Sequence, residues 1–165
     1  MADLKLKDGD YEINQILDSL KKDFNSEREL CEYIEANIAS FCKDCLGVTY
    51  KSHIREKPLS QLTSKRSIKG NKRIDFLIIT SDNERIGIEC KNPKYQSELS
   101  YAVGQCLTYL TLFELMGEPI SRMAIVATKI EPSLTFTIDK FNLPILFIAM
   151  DKDKTLTYRN GSGKG

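Results

Sequence analysis

Asp75, Glu89 and Lys91 are the residues of this chain whose types and spacing suit chemistry, the last two in the run Glu89-Cys90-Lys91. Two carboxylates supply hard oxygen ligands of the kind that suit Mg2+ or Mn2+. A lysine ammonium beside them can orient a water and hold negative charge as it grows. All three lie at the ends of apolar runs, where a folded core rarely tolerates charge without a partner.

The elements that must position them are two strands. Ile74 to Thr80 is almost wholly apolar and rich in β-branched residues, as a strand buried on both faces should be. Arg85 to Lys91 alternates, with Ile86, Ile88 and Cys90 on one face and Arg85, Gly87, Glu89 and Lys91 on the other. Ser81-Asp82-Asn83-Glu84 between them is rich in turn formers. A two-residue loop at Asp82-Asn83 would set Asp75 opposite Cys90, on the wrong face for Glu89 and Lys91. A three-residue loop or one bulge sets Asp75 opposite Glu89 or Lys91, and that register is the expectation here.

Asp75, thirteen intervening residues and then Glu89-x-Lys91 resemble the active-site signature of the PD-(D/E)XK nuclease superfamily. The proline that usually precedes the Asp is replaced by Ile74. Two further segments carry the resemblance. Ser26-Glu27-Arg28-Glu29-Leu30 is similar to the start of the first core helix in archaeal Holliday-junction resolvases, where the Glu of a Glu-Arg pair reaches the metal. Helical spacing puts Glu27 on one face with Leu30 and Cys31, although its simpler role is to complement the helix dipole. Gln105-x-x-x-Tyr109, an i,i+4 pair with Tyr101 on the same stripe, resembles a motif of RecB-like nucleases and of type I restriction enzyme motor-subunit N-terminal domains.

The resemblance implies an α/β, restriction-endonuclease-like core with a mixed central sheet flanked by helices. It implies Mg2+ or Mn2+ held by Asp75, Glu89, the Cys90 backbone carbonyl and Glu27, with Lys91 orienting the attacking water. Gln105 and Tyr109 would fix the Lys91 amine and a phosphate. The implied reaction is hydrolysis of a DNA phosphodiester, and the implied assembly a homodimer. The alternatives are a Holliday-junction resolvase, or a nucleic-acid-binding module of the same fold with little or no turnover.

The whole chain is compatible with this. Its 165 residues suit one domain with a sizeable core. A net charge of +1 gives no global attraction to nucleic acid, so any basic footprint must be local. Lys65, Arg66, Lys69, Lys72 and Arg73 supply one in a basic loop over 58–73, just ahead of Asp75, and Arg28 and Tyr109 are further candidates for DNA contact. No apolar run could span a bilayer and the first residues lack a signal-peptide core, so the expected setting is intracellular. Of the cysteines, Cys90 and Cys106 read as core thiols, while Cys42-x-x-Cys45 with His53 forms a weak zinc pattern. His53 itself reads as a strand residue facing solvent.

Periodicity along the chain predicts helices over Tyr11–Phe24 and from Glu27 to about Cys42, the second capped by a Ser26/Glu29 box and closed by Gly47. A strand over Val48–Glu56, the central pair, a helix from about Glu98 to Met116 and a strand over Arg122–Lys129 follow. Ser133–Phe141 has weak helical spacing, Pro144–Met150 is an apolar strand and Thr155–Arg159 a short edge strand. The expected order is α-α-β-β-β-α-β-(α)-β-β, with flexible ends at 1–10 and 160–165.

Overall fold

The computed structural model describes residues 24–58, 73–95, 97–129, 131–150 and 158–159. The expected helix over 11–24, the basic residues Lys65, Arg66, Lys69 and Lys72, and both expected flexible ends therefore fall outside the described residues, apart from Phe24.

Helix α1, Glu27–Ala36, begins where the sequence places it. Ser26 Oγ accepts from the Glu29 N–H at 3.1 Å. The Glu29 carboxylate returns to the Asn25 N–H at 2.9 Å, one residue earlier than a standard capping box. Asn37 interrupts the single helix that the sequence predicts, its side-chain amide donating to Tyr33 O at 2.9 Å. A short α2, Ile38–Phe41, and a turn of π-helix, Cys42–Leu46, complete this arm. Gly47, at φ +67°, ends it in the left-handed conformation that glycine adopts without steric cost.

The strands are β1 Tyr50–Pro58, β2 Arg73–Thr80, β3 Arg85–Lys91, β4 Arg122–Ala127, β5 Ile145–Ala149 and β6 Tyr158–Arg159, with α3 Ser97–Leu115 after β3 and α4 Pro132–Lys140 after β4. They form one six-stranded sheet in sequential order. The pairs β1–β2, β2–β3 and β5–β6 are antiparallel, while β3–β4 and β4–β5 are parallel across the crossovers α3 and α4. Parallel neighbours need such helical returns, and both returns cover one face of the sheet, while the helical arm before β1 covers the other.

Two cores result. One lies under α1, α2 and the π-turn and takes Phe76, Ile78, Ile86, Ile88, Cys90, Ala124 and Val126 from the sheet. The other lies under α3 and α4 and takes Leu77, Met123, Ile125, Ile145 and Phe147. Strand β3 is accordingly buried on both faces from Ile86 to Cys90, including the face that carries Glu89. Burial of that carboxylate is thus a consequence of topology.

Candidate active site

The hairpin turn sets the register. Asn83 donates its N–H to Thr80 O and Thr80 donates to Glu84 O, both at 2.9 Å, leaving Ser81-Asp82-Asn83 as a three-residue loop. Asn83 takes φ +63°, the left-handed third position that such a loop needs. The ladder pairs Ile79 with Arg85, Ile78 with Ile86, Leu77 with Gly87 and Phe76 with Ile88. The paired ladder ends there, one step short of Asp75 and Glu89.

At Asp75 the regular pattern breaks. Ile74 packs in the α3-side core although Phe76 and Ile78 pack on the α1 side, so alternation fails between 74 and 76. On the other flank, Glu56 stands at φ +51°, between the pairs Arg55–Phe76 and Lys57–Ile74. With the ladder distorted there, the Asp75 carboxylate supplies the missing acceptor, taking the Cys90 N–H at 2.8 Å.

Glu89 is 3% exposed, and its Oε2 lies 3.9 Å from Lys91 Nζ. Its Oε1 is buried with no hydrogen-bond partner among the described residues. Burial above all, then the Asp75 charge, pushes the Glu89 carboxyl up to about 8 against the pull of Lys91. Burial also raises Asp75, opposed by the Cys90 N–H, Lys91 and Arg55. A buried and a half-buried acid with one ammonium in contact form a site short of positive charge. The orphaned Oε1 and the hard oxygen donors fit a divalent cation such as Mg2+ or Mn2+.

Beside this pair, Glu27 and Lys91 line a cleft of about 440 Å3 with Asn92, Pro93, Ser97, Glu98 and Tyr101. Partial burial raises the Glu27 carboxyl, with Lys91 opposing and Asp75 adding to the rise. Its side chain nevertheless keeps an outer face in solvent. Glu98 caps the entry to α3, accepting from the Lys94 N–H at 2.6 Å. Asn92 ties the cleft wall down, its Oδ1 accepting from the Thr128 hydroxyl at 2.8 Å.

A second hollow of about 700 Å3 lies along α3 between Arg73, Ser100, Tyr101, Gly104, Gln105, Thr108 and Tyr109. Gln105 keeps a buried Oε1 without a partner among the described residues. Tyr109 is only 4% exposed and donates its hydroxyl to Arg73 O at 3.3 Å. It anchors the entry to β2 and presents little surface to a ligand. Tyr109→Phe is expected to lower stability by about 0.5–1.5 kcal/mol in urea unfolding, the loss of one part-buried hydrogen bond. Weakened DNA binding at unchanged stability would place the hydroxyl on nucleic acid instead. Tyr101, by contrast, is 68% exposed and stands between the two hollows.

Other candidates are not brought to this place. Arg28 is ion-paired with Glu32 at 2.9 Å and lines a separate hollow with Arg55 and Glu56. His53 does not face solvent. It lies between Tyr50 Oη at 2.8 Å and Glu35 Oε2 at 3.0 Å, because α1 covers that part of β1. Cys42 and Cys45 are buried in the α1-side core and His53 is engaged elsewhere, so the zinc pattern does not assemble. Asn92, Glu98 and Cys31 also stand at or beside this site, without a sequence motif to mark them. Asn92 adjoins Lys91 in sequence, and Cys31 follows Glu27 by one helical turn.

No family model matches the chain, and no curated protein matches it. Among solved structures it is similar to a repair endonuclease from Pyrococcus abyssi, with a TM-score of 0.52 at 20% identity, over 78% of this chain and 48% of that one. Lower scores relate it to protein VC1899 from Vibrio cholerae (TM-score 0.48, 13% identity, 74% of this chain and 30% of that one). They also relate it to EndoMS in the EndoMS–dsDNA2 complex (TM-score 0.41, 20% identity, 72% and 45%). The chain spans about half or less of the length of each. In its α/β architecture, sheet order and helical crossovers, the chain has a restriction-endonuclease-like fold.

Proposed function

We propose that the chain is a metal-dependent DNA endonuclease whose site is built on Asp75, Glu89 and Lys91. The observation that carries this is a buried Glu89 carboxylate and a half-buried Asp75 carboxylate at the open end of the β2–β3 hairpin, one Glu89 oxygen without a partner among the described residues and one ammonium 3.9 Å away. Asp75, Glu89, the Cys90 carbonyl and Glu27 would hold Mg2+ or Mn2+. When bound, such an ion neutralises phosphate charge and makes water more acidic.

The side chains do the rest. Lys91, 18% exposed, reaches the cleft from a mostly desolvated position, where its charge acts strongly on a phosphate oxygen and its N–H groups can orient a water. Gln105, whose Oε1 has no partner among the described residues, would accept from that ammonium. Tyr109 acts at one remove, fixing Arg73 and so the start of the strand that carries Asp75. Tyr101 offers an open aromatic face to a base beside the cleft.

The test is incubation with branched, linear and single-stranded DNA in Mg2+ or Mn2+. Metal-dependent nicking is expected on at least one of them. DNA binding without nicking would instead mark a binding module. Replacing Lys69, Lys72 and Arg73 together by alanine is expected to weaken DNA binding and flatten its salt dependence, by ~0.9 in log–log slope for each duplex phosphate contact removed. An unchanged slope would place the footprint elsewhere. Among the described residues no helix is long and apolar enough to cross a membrane.

A further inference from the structure

Beside the carboxylate pair lies a ligand set of different character. Cys31 of α1 and Cys90 of β3 are 5% and 0% exposed. Their Sγ atoms and one carboxylate oxygen of Asp75 all lie within 4.8 Å of one another. The three come from a helix and two strands, so packing of α1 on the sheet makes the group. Its members are already held: Asp75 by the Cys90 N–H at 2.8 Å, and the two thiols by each other. We propose that Cys31, Cys90 and Asp75 form a site for a thiophilic cation such as Zn2+ or Cd2+, which excludes the hard ion at Glu89 because both need Asp75.

Two thiolates and a carboxylate are a donor set for zinc and softer ions, whereas Mg2+ and Mn2+ do not compete for sulfur. Tetrahedral zinc with Zn–S bonds of about 2.3 Å sets its sulfurs about 3.8 Å apart. With Zn–O about 2.0 Å its sulfur–oxygen separations are about 3.5 Å, so the group needs to close by about 1.3 Å at most, within the reach of small side-chain rotations. Binding releases one proton from each thiol to solvent while the carboxylate enters as the anion. A dication thus replaces two protons, and the net charge of the buried site is unchanged, which avoids the cost of burying new charge.

The first test needs no variant and is run in a non-thiol reductant, so that no disulfide can form. Adding Zn2+ to the full chain in weak buffer is expected to release about two protons per ion bound. Adding Cd2+ is expected to produce the ultraviolet thiolate-to-cadmium band. Cys31→Ser and Cys31→Ala should lose that band and bind Zn2+ at least about tenfold more weakly. Cys106→Ala should retain it, and Glu89→Gln should retain it while losing Mn2+ binding. Absence of the band in the wild-type chain, or its persistence in either Cys31 variant, would overturn the proposal.

One consequence rests on the nuclease reading above: Zn2+ should inhibit Mn2+-dependent nicking in the wild-type chain and inhibit it less in Cys31→Ala. Equal inhibition of both would overturn the shared use of Asp75. A chain that shows the cadmium band but never nicks DNA would retain the thiol site and remove the nuclease reading.

Discussion

Glu89→Gln is expected to melt above the wild-type chain at pH 8, by about 5–10 °C, and to cut no DNA. The gain follows from proton linkage. Glu89 holds its proton to about pH 8 when folded, whereas an unfolded glutamate loses it near 4.5. Between those limits the folded chain binds more protons than the unfolded one, so its stability falls as pH rises from about 4.5 to 8. Each tenfold difference in proton affinity is worth about 1.4 kcal/mol, which makes the full penalty above that window several kcal/mol.

An uncharged amide of the same shape escapes the penalty. The Glu89→Gln advantage should therefore be large at pH 8 and nearly absent at pH 5. A bound divalent cation would oppose the same penalty from the other side. Mn2+ is expected to raise the melting temperature of the wild-type chain and to do little for Glu89→Gln. Differential scanning calorimetry at the two pH values, with and without Mn2+, checks all four outcomes. A lower melting temperature for Glu89→Gln at pH 8 would mean that the carboxylate is a structural partner of Lys91.

Lys91→Ala is expected to keep Mn2+ binding and to lose nicking activity by about two orders of magnitude or more. Both carboxylates remain in this variant, so the hard-ion donors are intact. The lost ammonium leaves Glu89 and Asp75 with less opposing charge, which should raise both carboxyls further and make metal binding more dependent on high pH. A purely structural ion pair predicts the reverse. Breaking a pair whose members are 18% and 5% exposed would then cost stability and leave any DNA cleavage untouched. Isothermal titration with Mn2+, thermal melting and a plasmid nicking assay on the same preparation separate the two outcomes.

Much of the positioning was legible from residue order alone. The apolar β-branched run at 74–80, the alternation at 85–91 and the turn formers between them identified the β2–β3 hairpin, with the bounds of β3 unchanged in the structure. Local rules were enough there, because side-chain alternation and turn chemistry are properties of neighbouring residues. The same holds for Ser26 as the cap of α1 and Gly47 as the end of the helical arm. Even the odd loop could be inferred, since an even one would have flipped Asp75 to the other face.

What the sequence did not disclose was everything that depends on contact across the fold. Asn37 breaking the first helical arm, Tyr109 anchoring Arg73 and His53 lying under α1 are set by where α1 and α3 land on the sheet. Those landings are long-range and have no local signature. The break of alternation at Asp75 belongs here too, because it arises where β1 and β2 are distorted together. So does the energetic state of the site. Asp75 and Glu89 are ordinary acids in the sequence, and only burial between two helical layers raises Glu89 to about 8 and leaves one of its oxygens without a partner. The chain's own order determined which residues stand at the end of the hairpin, and tertiary packing decided how strongly their charges are felt, because desolvation depends on what covers a residue rather than on what precedes it.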